Sequence, residues 1–180
     1  AQVWCDRGMV WAYAFNHEEA VRCFERALRL DPDLAAARWG IAYAAGPNYN
    51  KAWEAFDTAD RTGALARARR ELDAAARGTA STVDRELIAA LTLRFPTDDP
   101  DDLDALAAGR HAYADAMATL ARRHPDDVDV QALAADALIN VSAWALWDID
   151  TGEPAPGSRV LEAKEILESA LATPEGRAHP

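Results

Sequence analysis

Apolar residues recur along this chain at three- and four-residue steps, and the clearest run opens it. Trp4, Gly8 and Trp11 share one face of a helix expected over 2–14, and a polar break follows at Asn16 and His17. Ala20, Phe24, Ala27 and Leu28 then make the apolar face of a second helix. Pro32 closes it, because the residue before a proline is pushed out of the α region. Asn16 stands where a helix cap belongs, with Glu19 three residues on, the spacing of a capping box. Glu18–Arg22 and Glu25–Arg29 pair across one turn on the opposite, wet face. Gly8 and Ala20 are small enough to let the two helices approach closely, and Phe24 fills the space between them. One such hairpin cannot bury its apolar face alone, so further hairpins are expected to stack on it.

A third helix is expected from Asp33 through Trp39, Ile41 and Tyr43 to Gly46-Pro47. Asn48-Tyr49-Asn50 and the apolar piece Ala52, Trp53, Phe56 read as an insertion over 47–57, holding a helical turn or two. The partner helix follows over 59–77, with Leu65, Ala68, Leu72 and Ala75 facing inward. Its arginines, Arg61, Arg67, Arg69, Arg70 and Arg77, are assigned to a solvated face. Ser81 or Thr82 caps a helix over 83–95. The aspartates of 98–104 serve as caps and dipole partners for a long helix over 102–123, which buries Leu106, Tyr113, Met117 and Leu120. Pro125-Asp126-Asp127 opens a helix over 128–146, and a loop rich in Gly and Pro covers 148–158. A last helix over 159–171 repeats, with Ala163, Leu167 and Ala170, the spacing of Ala20, Phe24 and Ala27. That makes about four hairpins and no sheet.

Trp4, Gly8, Trp11, Ala20, Phe24, Ala27 and Pro32, at these intervals, resemble the tetratricopeptide repeat (TPR). Arg7 stands where that family usually has Leu. The resemblance implies an all-α, right-handed superhelix of antiparallel hairpins, one domain over 1–180. Phe15-Asn16-His17-Glu18-Glu19-Ala20, Trp39-Gly40 and Gly46-Pro47-Asn48-Tyr49-Asn50 look like a bacterial subgroup of longer multi-repeat TPR proteins, whose later repeats carry more histidines. The chain is accordingly expected to be the N-terminal part of a longer protein. Its last helix keeps Val160, Leu161, Ile166, Leu167 and Leu171, a face that would also promote a homo-oligomer. In TPR proteins the first helix of each hairpin lines a concave groove. Here that places Cys5, Met9 and Tyr13 beside Trp39 and Tyr43, an aromatic and sulfur-rich surface. Chaperone-binding relatives hold a peptide's terminal carboxylates there with Lys and Asn. Cys5 and Met9 replace those residues, so that activity is not expected. The competing expectation is that the insertion over 47–57 buries Trp39 and Tyr43.

Composition changes the picture mainly through charge. The net charge is −11. Residues 1–78 are balanced, and 79–180 carry the whole excess. Phosphates would be repelled by that half, which argues against nucleic acid and anionic membranes and suits a basic partner. The longest apolar region, Ala132 to Trp147, is interrupted by Asp136, Asn140 and Ser142 and is too polar for a membrane span. With no signal-peptide pattern, a cytoplasmic location is expected, and Cys5 and Cys23 are expected as reduced thiols.

No nucleophile elbow, P-loop, HExxH or dinucleotide fingerprint occurs, and no two of His17, His111, His124 and His179 stand four apart. Neither a metal nor a cofactor is expected. The resemblance implies one alternative: His17, Asn48 and Asn50 line a site completed by later repeats. The chain would then be part of a larger metal- or small-molecule-binding protein or enzyme. The favoured reading is a non-enzymatic scaffold that binds a protein or peptide through the aromatic groove.

Overall fold

In the computed structural model, which describes residues 1–180, nine α-helices and two 3-10 turns follow one another without a strand. The helices are α1 (Gln2–Tyr13), α2 (His17–Leu30), α3 (Ala35–Ala45), α4 (Thr58–Arg77) and α5 (Thr82–Thr92). After them come α6 (Leu103–Arg123), α7 (Val128–Ile139), α8 (Val160–Leu171) and the short α9 (Pro174–Ala178). Asn16, Asp57, Ser81, Asp102 and Asp127 each start a helix by accepting the backbone N–H three residues on. Ser81 and Asp84 complete a reciprocal capping box. At Asn16 only half of the expected box forms, because Glu19 turns away to Arg22 at 3.0 Å.

The fold is an all-α, TPR-like helical repeat. α1 packs on α2, α2 on α3 and α3 on α4, and the same zigzag resumes from α6 through α7 to α8. Phe24 explains the tight start of the stack. Its ring is fully buried, and a Cβ added at Gly8 would stand 2.5 Å from it. A Cβ at Gly40 of α3 would come closer still, so Phe24 joins three helices rather than the expected two. The short α5 divides its contacts among α3, α4 and α6, and the third hairpin is therefore the least regular.

Three stretches differ from expectation, while the insertion matches it. α7 stops at Ile139 instead of 146, because the Asn140 side chain turns back to Asp136 and donates to its backbone carbonyl at 2.8 Å. The chain then tightens into a 3-10 turn at Asn140–Ser142, and Trp144 takes φ 64° with its ring 5.3 Å from that of Tyr49. The insertion does hold one turn, Trp53–Ala55, anchored by the fully buried Trp53. Arg61 is not on a wet face. It is 8% exposed, donates to the carbonyls of Pro100 and Phe56, and pairs with Asp101 at 3.2 Å. One forked guanidinium thus serves the end of the insertion and the loop before α6. Finally, the chain continues past α8 into α9, capped by Thr173 with Pro174 in its first turn.

On α8, Val160 is buried and Ile166 partly so, while Leu161, Leu167 and Leu171 are exposed. No helix is long and apolar enough to cross a membrane.

A candidate partner groove

α1 and α3 lie side by side because Gly8 and Gly40 both make room for Phe24. Their inner faces carry the five residues expected in the groove, and Tyr13 and Tyr43 reach from them to Asp129 and Asp136 of α7. Cys5, Trp39 and Tyr43 are buried, and Met9 and Tyr13 are half-buried. The Trp39 and Tyr43 rings stack, with centroids 5.2 Å apart and planes 13° from parallel.

Trp39 is only 4% exposed and Tyr43 8%, so neither lies on an open surface. Nor does the insertion provide the main cover. The Trp39 indole donates to the carbonyl of Leu87 in α5 at 3.2 Å. The Tyr43 hydroxyl donates to Asp136 of α7 at 2.8 Å, and the Arg94 guanidinium lies 5.6 Å from the Tyr43 ring. The cover comes from α5, Arg94 just beyond it, and α7.

Two cavities remain along this seam. The smaller, about 180 Å³, has Cys5, Met9, Trp39 and Leu87 in its apolar wall and Asp6, Asp84 and Asp129 among its polar groups. The larger, about 360 Å³, is lined by Tyr13, Phe15, His17, Tyr43, Asn48 and Asp136, with alanines and Ile139 between them. A hydrogen bond from Tyr13 to Asp129 at 2.5 Å has one partner on each cavity's wall. His179, just after α9, reaches the same Asp129 carboxylate at 3.0 Å and meets the Tyr13 ring edge-on.

The polar trio separates. His17 and Asn48 share the larger cavity, but Asn50 is exposed, and its backbone N–H donates to the Asn48 side chain at 2.9 Å. Phe15 stands at the larger cavity with φ 58°, a left-handed turn conformation more often given to glycine. A bulky residue there costs roughly 1 kcal/mol of backbone strain.

The electrostatics of the seam follow from burial. Burial, and then the neighbouring Asp6 and Asp84 carboxylates, push the Cys5 thiol up to about 12, so it stays protonated and is no nucleophile. Burial and Asp129 raise Tyr13, and burial and Asp136 raise Tyr43. Burial lowers His17, with Arg94 acting the same way and Asp136 opposing. Burial raises Asp136 itself, against the pull of Arg94 and the hydrogen bonds from Tyr43 and Asn140. No cluster of His, Cys, Asp and Glu side chains is arranged to hold a metal ion.

Sequence reasoning missed Asp129, Asp136 and Arg94. Asp129 was indistinguishable from an ordinary first-turn acid of α7. Asp136 did leave a signal, as a charge inside the apolar run of 132–139.

Residues 1–34 match the model of the tetratricopeptide repeat. A stretch of 57 residues is 35% identical to Protein bimA of Emericella nidulans, covering 31% of this chain and 7% of that protein. That relative is fungal, and the bacterial subgroup is not shown. No solved structure matches the chain. The chain therefore carries a tetratricopeptide repeat over residues 1–34 and builds on it an all-α, TPR-like helical repeat fold.

Proposed function

We propose that this chain is a non-enzymatic protein-interaction scaffold whose seam between α1, α3 and α7 receives a basic segment of a partner. Tetratricopeptide repeats serve protein–protein interaction in general. The observation that carries the finer reading is the lining of the two cavities. Asp6, Asp84, Asp129 and Asp136 stand in their walls, and no Lys or Arg does. Carboxylates over an aromatic and aliphatic floor suit a side chain with an apolar stem and a cationic head. Cavities of this size take individual side chains rather than a whole helix. Cys5, Met9, Tyr13, Trp39 and Tyr43 supply the floor and the packing behind it. The exposed Leu161 and Leu171 support stacking of a further helix on α8, from a longer form of the chain or a second copy.

The test is calorimetric titration with short peptides differing at one position, lysine or arginine against norleucine and glutamate. The cationic peptides should bind, and binding should weaken as salt rises. Asp6→Asn, an exposed change that keeps the hydrogen bond with Gln2, should weaken it several-fold. Equal binding of the glutamate peptide would defeat the reading.

A further inference from the structure

The segment after α8 folds back along the seam and sets a ring on it. Thr173 caps α9, and a Cβ added at Gly176 would collide with the carbonyl oxygen of Ala170, so only glycine admits the close approach. Arg177 donates to the carbonyls of Leu171 at 3.1 Å and Ala172 at 3.0 Å, serving the free end of α8. His179 takes an extended backbone before Pro180 and so ends α9. Its side chain is only 18% exposed, well covered for a residue beyond the last hairpin.

The ring lands on the contact that separates the two cavities. Tyr13 Oη and His179 Nε2 both reach Oδ1 of Asp129, at 2.5 and 3.0 Å. An ionised carboxylate only accepts, so Nε2 of His179 carries a proton and donates it. The same ring meets Tyr13 edge-on, with centroids 4.9 Å apart. Tyr13 lines the larger cavity and Asp129 the smaller, so His179 sits between them. It offers Asp129 what a partner's cationic head would offer, an N–H donor on an apolar body. The hold is light. α9 has five residues, too few to stand as a helix alone, and one hydrogen bond and one ring contact tie its end to the seam. The Asp129 side chain is itself 60% exposed, so an incoming cation can reach it and displace the ring.

We propose that residues 173–180 form a built-in strap, in which His179 occupies the Asp129 position and a basic partner must lift it to dock. This rests on the reading of the seam as a site for a basic segment, and adds that the free chain holds that site shut.

Calorimetric titration of the full chain and two variants with the lysine peptide tests it. His179→Ala removes the ring and should raise the affinity about three- to tenfold. His179→Arg gives the strap a permanent charge and should lower the affinity by about the same factor. Hydrogen exchange gives a second reading. The amides of Gly176 and Arg177, which donate to Thr173, should exchange faster in the wild type once the peptide is bound. Equal affinity in all three chains, with those amides as protected as before, would overturn the strap and leave the reading of the seam standing. No binding to any of the three, His179→Ala included, would overturn the reading of the seam and the strap with it.

Discussion

The Tyr43 hydroxyl donates to Asp136 at 2.8 Å, joining α3 to α7 across 93 residues of chain. In an open superhelical groove these two helices would face each other across solvent. Here side-chain hydrogen bonds from Tyr13 and Tyr43 tie α7 to α1 and α3, and two cavities lie on either side of the Tyr13–Asp129 contact. What holds Tyr43 in place also fixes the carboxylate that a cationic side chain would meet.

His17 makes the cavity's stability depend on pH. Its folded-state pKa lies below the ordinary 6.5, chiefly because burial disfavours the imidazolium. Its contribution is thus fully present above pH 6.5 and is lost as pH falls through the lower folded value. Urea unfolding of wild type and His17→Gln across pH 5–7.5 should show the wild type losing stability faster on acidification. Parallel curves would show that His17 is free to charge in the folded state.

Gly8 and Phe24 form a fit that leaves no slack. A Cβ at Gly8 would stand 2.5 Å from the Phe24 ring, which Gly40 confines on another side. Gly8→Ala should destabilise by roughly 1–3 kcal/mol through overpacking, despite the better helix propensity of alanine. Adding Phe24→Leu should cost less in that background than alone, giving a favourable coupling in a double-mutant cycle. Additive losses would mean that the ring moves aside freely.

Two arginines of α4 should answer differently to the same change. Arg61 is buried and donates to backbone carbonyls of the insertion and of Pro100, whereas Arg77 is exposed at the helix end. Arg61→Ala leaves those half-buried carbonyls unserved and empties the space the buried guanidinium fills, and should cost about 2–4 kcal/mol. Arg77→Ala should stay within about 0.5 kcal/mol. Denaturant midpoints of the two variants decide it.

Local chemistry made most of the helices legible in the sequence. The three- and four-residue steps of Ala20, Phe24 and Ala27, and of Leu65, Ala68, Leu72 and Ala75, do mark buried faces. Asn16, Ser81 and Asp102 do cap helices, because a side-chain oxygen satisfies a free N–H wherever the fold ends up. Met9 and Tyr13, like Trp39 and Tyr43, stand one helical turn apart, a spacing that predicts one continuous surface; Trp39 and Tyr43 are instead buried. What lies opposite those faces is a long-range property, and no spacing near Trp39 encodes Leu87 or Asp136. Asn140 shows the same limit, since an apolar period ran past it to 146 while its amide ended the helix locally. Arg61 and Arg94 read as wet or unremarkable because a single charge has no periodicity to reveal burial.

The Trp39→Ala, Tyr43→Ala double variant separates packing from recognition. Were the pair an open binding surface, truncation would remove partner binding and leave the fold nearly intact. The two rings are instead stacked on each other, buried, and hydrogen-bonded to α5 and α7. Each truncation should therefore cost on the order of 3–5 kcal/mol, enough together to lower the melting temperature sharply or unfold the chain. Tyr43→Phe gives a finer reading, because it keeps the ring and removes only the donor to Asp136. A buried acceptor losing one partner should cost about 1–3 kcal/mol, with the stacked pair still in place. Circular dichroism melts of both variants supply the comparison. A double variant melting within a few degrees of wild type would show that the rings carry little packing, and that α7 does not hold the seam closed.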